Sequence, residues 1–393
     1  MTEQSSTTTP AQSYRNLFII LCAGFVLSGI ATTIVGPMLP VFIRRWSLDD
    51  GQAGLFSTVQ FVASWCGTLA STAIVSWRGY RTPLVLGYLL MGVGLFFLNA
   101  EAYRAAMIAV GTYGVGYGLI TPGTNLLVAE VGGAKSASHL NLLNSSWGVG
   151  AMACSPLIAL ALRRNAVSGF LAGFAVFGGL ITLGLLFSSF GKQEHSEVAE
   201  AGASSAPQIG LAVTVALASL FFIYVAVENG IGIWAAEYAK RLASGITATT
   251  TLAPAFFYSG LTSGRAFAPL ALHRLSERKV VLGALGVTVI GTIFLIVSTK
   301  LTFALAAIFI AGLGCASVYP IYIAWLSRWY GAGARKIGGV LFALASLGGS
   351  AGPGLVGFTS KLTGSLRTGF LVPLLGILIM VFLVFALRRQ ASA

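Results

Sequence analysis

Eleven acidic residues in a chain of 393 leave few groups able to carry a proton or anchor a polar ligand, and their positions single one out. Glu3, Glu130, Glu194, Glu197, Glu200 and Glu277 fall at or beyond the ends of apolar stretches on one side. Asp49, Asp50, Glu101 and Glu237 do the same on the other, and only Glu228 stands inside a stretch, in FFIYVAVENGIGIWAAEY over 221–238. A carboxylate at membrane depth costs roughly 2.5–3.5 kcal/mol on insertion scales, so a group placed there is a candidate for binding or proton transfer. Gly230 and Gly232 follow it and would let a helix bend or break, freeing backbone groups toward a ligand. Asn229 adds an amide, and Tyr224 a hydroxyl one turn earlier on the same helix face. Trp234, six positions on, reaches the same cavity only if the helix breaks. Two placements are open for Glu228: a wet cavity inside the membrane, or the headgroup layer if the stretch ends near it.

Neutral polar groups accumulate in other apolar stretches. Gln60 precedes Ser64 by four residues; Thr121, Thr124 and Asn125 cluster in another stretch. Asn141, Asn144, Ser145 and Trp147 open a third, and Tyr319, Tyr322 and Trp325 lie in a fourth. Amides bond hydroxyls and aromatic rings stack on the C–H face of a sugar, so the combination suits a neutral polyhydroxylated ligand. Such residues also join membrane helices by interhelical hydrogen bonds, and for any one of them that reading weighs about equally. For Gln60, Asn144, Glu228 and Asn229 taken together, a cavity is the better expectation.

Composition excludes most other classes. Hydrophobic residues make up 56% of the chain and charged residues 9%, and apolar runs of membrane-spanning length recur from end to end. The chain therefore reads as an all-α polytopic membrane protein. The net charge of +13 is scattered over loop ends, where basic side chains meet headgroups, so it does not indicate nucleic acid. Cys22, Cys66, Cys154 and Cys315 sit inside apolar runs at unrelated spacings, and His139, His195 and His273 in or near loops. No metal site, cofactor, disulfide framework or nucleophile with a base follows from them, and no enzyme is expected. A channel would show charged rings or a filter-like loop, and neither is visible. Gly114-Val115-Gly116-Tyr117-Gly118 is no phosphate loop, since neither a strand nor a Gly-Lys-Ser/Thr accompanies it; the 49 glycines serve close helix packing. Residues 1–14 are polar and lack an apolar core, so the first span is expected to direct insertion.

Twelve spans are expected, at 17–42, 51–77, 82–99, 105–131, 138–162, 167–190, 209–238, 249–272, 280–298, 302–329, 337–359 and 368–387. The polar stretch GKQEHSEVAEAGASSAPQ divides them six and six. This places a six-helix bundle at 1–190, a cytoplasmic linker at 191–208 and a second bundle at 209–393. The halves echo each other: Gly116-Tyr117-Gly118 recurs as Gly312-Leu313-Gly314, and Pro156 as Pro353, at offsets of 196 and 197 (312 less 116, 353 less 156). Internal prolines such as Pro122 and Pro320 are expected to kink their spans. Fourteen of the 24 basic residues fall on the side of the termini, which places both termini in the cytoplasm.

Several segments resemble the fucose permease-like sugar porters of the major facilitator superfamily: NLLVAE at 125–130, LNLLNSSWGVG at 140–150 with Pro156 following, YVAVENGIGIW at 224–234 and SGRAFAPLALHRLSERK at 263–279. The resemblance implies two pseudo-symmetric six-helix bundles with a solute cavity between them near mid-membrane, opened alternately to either side. Glu228 matches the acidic position of the seventh span, and Asn125 the fourth-span Asn. Thr121 stands where those permeases carry a fourth-span acid, and the first span also lacks its acid. Glu228 is thereby left as carrier of a proton, as a ligand for sugar hydroxyls in a uniporter, or as part of a Na+ site. The superfamily's loop signature, Gly-x-x-x-Asp-Arg-x-Gly-Arg, survives as Thr72, Ser76, Trp77, Arg78, Gly79 and Arg81 without its Asp. Arg78, Gly79 and Arg81 are therefore gating candidates, with Arg265 and Glu277 as a counterpart ion pair in the second half.

The expectation is a secondary transporter of a neutral sugar or similar polyol in the inner (plasma) membrane. Its candidate ligand contacts are Gln60, Asn125, Asn144, Trp147, Tyr224, Glu228, Asn229, Tyr319 and Tyr322, with Glu228 as the coupling group. Its partners would be that solute, membrane lipid and H+ or Na+, and the chain would act as a monomer. Two rivals are an exporter of amphipathic drugs or metabolites on the same fold and a membrane sensor or lipid-handling protein without concentrative transport.

Overall fold

The computed structural model describes residues 10–131, 136–188, 190, 210–330 and 334–390; the expected linker, and the side chains of Glu130 and Asn141, lie outside that description. Every described element is a helix, as lipid demands: a backbone with no water to bond must satisfy its own N–H and C=O groups. In the first half the helices are α1 (Pro10–Thr33), α2 (Val35–Trp46), α3 (Asp50–Arg78), α4 (Arg81–Phe97), α5 (Tyr103–Val131), α6 (Ser136–Arg163) and α7 (Val167–Phe187). In the second they are α8 (Leu211–Leu242), α9 (Ala248–Thr251), α10 (Ala253–Leu272), α11 (Glu277–Val297), α12 (Leu301–Cys315), α13 (Val318–Tyr330), α14 (Ala334–Thr363), α15 (Leu366–Gly369) and α16 (Leu371–Gln390). Taking α1–α2, α9–α10, α12–α13 and α15–α16 as interrupted spans gives the twelve expected crossings. Nine described stretches are long and apolar enough to cross a membrane by themselves. The chain is a multi-pass membrane protein.

Proline chemistry accounts for two of the interruptions. Pro37 cannot donate to the Thr33 carbonyl, and α1 gives way to α2 at Ile34; Pro320 cannot donate to the Ala316 carbonyl, and α12 ends beside it. Pro122 lies inside an unbroken α5, and the Gly118 carbonyl it deprives of a partner accepts from Thr68 Oγ1 at 3.4 Å. The expected break after Glu228 is absent. α8 runs straight through Gly230 and Gly232, and Trp234 points away from Glu228, fully buried with Nε1 donating to the Pro353 carbonyl at 3.0 Å. The two glycines instead admit close neighbours: Gly230 faces α14 at Gly352 and Val356, and Gly232 faces Phe257 and Tyr258.

Glycine contacts repeat between the halves. A Cβ on Gly118 would overlap the Ser64 carbonyl, and one on Gly67 the Val115 carbonyl, locking α3 to α5. In the second half Gly312 meets the Phe257 carbonyl and Gly260 that of Phe309, locking α10 to α12 in the same way. The basic residues repeat too. Arg81 donates to the carbonyls of Leu185, Leu186 and Ser188 at the end of α7 and lies over the Phe190 ring. Arg278, 197 positions on (278 less 81), donates to the Phe385 carbonyl in α16 and lies over that residue's ring. Arg81 thereby complements the macrodipole at the C-terminus of α7, and Arg278 ties α11 to α16 by a similar contact.

The halves meet along one side. The end of α2 and the start of α3 define a latch face, opposite the terminal face where Pro10 and Gln390 lie. At the latch face the start of α3 packs on the end of α14, from Gly357 against the Asp50 carbonyl to Phe61 against Gly349. Arg241 of α8 donates to both carboxylate oxygens of Asp50 and, through Nε, to Glu237 at 2.9 Å. Ser360 of α14 also donates to Asp50, and Lys361 pairs with Asp49 at 3.0 Å. The Gln52 backbone N–H, first, and Lys361 hold the Asp49 carboxyl below the usual carboxylate range. The seams α2–α8, α6–α9 and α6–α10 complete the closure. Among the described residues α5 and α13 form no seam comparable to that of α3 with α14.

Candidate functional site

Glu228 lies about halfway along α8, partly exposed, and so is not at a helix end in the headgroup layer. Its carboxylate is within hydrogen-bonding reach of Tyr224 and within electrostatic reach of Arg265 on α10. Tyr117 on α5, Tyr258 on α10 and Tyr319 on α13 approach the same carboxylate. Residues of both halves therefore surround it. Tyr258 meets the ring of Trp147 edge-on across the α6–α10 seam at 6.3 Å. Tyr224 donates to the Cys315 carbonyl at 3.1 Å, at the last residue of α12, so the interruption of the tenth span lies at the level of the acid.

Local sequence explains the placement. The small residues of α14 set α8 in position, since a Cβ on Gly348 or Gly352 would overlap the carbonyls of Phe222 and Ala226. That contact occupies one face of α8 and leaves the Tyr224–Glu228 face to look between the halves. Gly264, beside Arg265, lies against Leu313 and Ala316, which brings the guanidinium to the same level. Its Nε–H is buried without a hydrogen-bond partner.

The other expected contacts divide. Trp147, Tyr224 and Tyr319 join the Glu228 cluster. Gln60 is turned into the first half: it is buried, its Nε2 donates to the Thr32 carbonyl at 3.0 Å and its Oε1 accepts from Tyr113 at 2.8 Å. There it supports the end of α1, whose Thr32 hydroxyl accepts from Trp147 Nε1 at 3.1 Å. Tyr322 is buried within the second half, packed on Phe221 and Trp325, with its hydroxyl 3.9 Å from Met380 Sδ. Asn125, Asn144 and Asn229 each donate back to their own helix, to Thr121, Leu140 and Val225.

Among the gating candidates, Gly79 ends α3 with φ of 71°, a conformation that favours glycine, and Arg78 is exposed. Arg81 caps α7 as described. The expected Arg265–Glu277 pair does not form. Glu277 accepts from Arg328 at 2.6 Å and from Trp325 Nε1 at 2.9 Å, because α11 begins beside α13, whereas Arg265 turns to Glu228. Tyr117 and Tyr258 were not expected at the site. Tyr117 sits in a glycine run that reads as packing, and nothing in their spacing marks either one.

No family model matches the chain. The sodium-dependent glucose transporter 1 of Rattus norvegicus is 25% identical over 144 residues, 36% of this chain and 29% of that protein, so the match spans under a third of the relative's length. The glucose/mannose transporter GlcP of Bacillus subtilis is 24% identical over 92% of this chain and 94% of its own. Among solved structures, a bacterial homologue of the human lysosomal transporter Spinster, inward-facing and occupied, superposes with a TM-score of 0.80 at 15% identity, covering 97% of this chain and 98% of that one. The Escherichia coli fucose:proton symporter FucP gives 0.62 at 18% identity, covering 95% and 98%. The fold is that of the major facilitator superfamily transporters. Within it, the chain resembles the fucose permease-like sugar porters.

Proposed function

We propose that the chain is a secondary transporter for a neutral sugar or similar polyol, working by alternating access in the inner (plasma) membrane with both termini cytoplasmic. The observation that carries this reading is Glu228, set amid Tyr117, Tyr224, Tyr258 and Tyr319 of both halves, with the Asp50–Arg241 latch closing one face. One acceptor group ringed by aromatic hydroxyls and C–H-stacking faces suits a polyhydroxylated solute. It does not suit the Phe- and Met-lined cavity that an exporter of amphipathic drugs would need. The names of the rat and B. subtilis relatives support the same solute class.

On this reading the latch face is the outer one, and the structure is the inward-open state of an importer. The bundles 1–190 and 209–393 rock about the cavity with 191–208 as their linker, and Asp50–Arg241 is the outer lock. Arg265 already places a positive charge beside Glu228, which disfavours a second cation, Na+ or a proton, at that carboxylate and favours transport without a coupling ion.

The test is thermal unfolding of the purified protein against a library of sugars and amphipathic cations, since a ligand of the folded state raises the melting temperature. A saturable rise with at least one hexose, pentose or polyol, diminished in Glu228→Gln, is expected. A response to cations alone would replace sugar transport with the exporter reading.

A further inference from the structure

The Glu228 cavity contains an arginine as well as an acid, and the position of that arginine has a consequence for the ligand. Arg265 projects from α10 at the level where α12 ends, and its Nε–H is buried and unbonded. A buried donor without a partner costs about 1–3 kcal/mol, so a partner is required in some state of the protein. Glu228 lies close by and still has lone pairs to offer, being in reach of one tyrosine hydroxyl. A guanidinium only donates and a carboxylate only accepts, whereas each hydroxyl of a sugar does both. Two adjacent hydroxyls can therefore meet the pair together, one accepting from the guanidinium and the other donating to the carboxylate.

Resting on the sugar reading, we propose that Arg265 and Glu228 form a two-point clamp for neighbouring hydroxyls of an uncharged sugar, and that Arg265 is a specificity-determining residue. The positive and negative charges balance within the site, so the wild-type cavity offers no net charge to an acidic or cationic solute. Removing either charge should change the class of ligand accepted. Glu228→Gln leaves Arg265 as a lone cation in the cavity, suited to a carboxylate.

The experiment measures binding of glucose, mannose, fucose and xylose, their singly deoxygenated analogues and glucuronate. The proteins are wild type, Arg265→Gln, Arg265→Lys and Glu228→Gln, each checked for folding by its unfolding transition. Arg265→Gln is expected to lose about ten- to a hundredfold in affinity for the bound sugar, the worth of one charge-assisted hydrogen bond. That loss should vanish for the one deoxy analogue lacking the clamped hydroxyl, with Arg265→Lys intermediate. Glu228→Gln should gain glucuronate binding that wild type lacks. If Arg265→Gln does not fold, the glucuronate result and Arg265→Lys decide the matter. Equal losses across all analogues, unchanged affinity, or no glucuronate binding by Glu228→Gln would overturn the clamp while leaving the sugar reading intact. No binding of any sugar by wild type would overturn both.

Discussion

An Arg241→Ala variant is expected to open the latch face. Arg241 grips Asp50 of the other half with two nitrogens and Glu237 of its own helix with a third. The Glu237 side chain is only 2% accessible, so losing Arg241 leaves that carboxylate with Lys240 alone. Breaking a buried pair costs about 3–5 kcal/mol and an exposed one about 0–1. Asp50 at 12% and Arg241 at 34% lie between those limits. A loss of about 1–3 kcal/mol from the closed face is therefore expected, shifting the equilibrium roughly five- to a hundredfold, at 1.4 kcal/mol per tenfold. Spin labels at Glu101 and Lys300, exposed on this face in opposite halves, should show a longer-distance population growing in the variant. An unchanged distance distribution would mean that the α3–α14 packing holds the face by itself.

Leucine at Gly118 or Gly312 should be more damaging still. Each glycine sits on a backbone carbonyl of the neighbouring helix, Ser64 or Phe257, so even a Cβ has no space and the helices must separate. Overpacking a core that can shift costs about 1–3 kcal/mol. A backbone carbonyl in a glycine-lined seam cannot shift alone, so neither variant should yield monodisperse folded protein. Gly283→Ala and Gly169→Ala, where nothing lies within 4 Å, are the matched controls and should behave as wild type. Normal elution and melting of Gly118→Leu and Gly312→Leu would show that these seams are looser than described.

Much of the architecture was legible because membranes simplify it. Apolar runs give the spans, the acids sort themselves by depth, and the two glycine pairs reappear in matching seams, though the structure matches Gly118 with Gly312 where the sequence offset matches Gly116 with Gly312. Legibility ended where a side chain's partner lies on another helix. Gln60 looked like a ligand contact, yet its amide holds Thr32 and Tyr113. Gly230 and Gly232 looked like a break, but with no proline beside them the helix continues, and the interruptions fall at Pro37 and Pro320 instead. The loop signature puts Arg265 with Glu277 as a counterpart ion pair, whereas the crossing of α10 with α8 gives Arg265 to Glu228. Tyr117 and Tyr258 carry no charge or spacing that distinguishes them from packing residues.

The central claim is that Glu228 faces a wet chamber through which solute passes. Its most direct test is uptake of radiolabelled sugar by proteoliposomes containing wild type or Glu228→Gln, at matched protein density and with or without an inward proton gradient. The account predicts saturable uptake by wild type of the sugar that raises its melting temperature, and at least a tenfold lower rate in Glu228→Gln, as expected when one charge-assisted contact to the solute is lost. Equal uptake by the two proteins would contradict it.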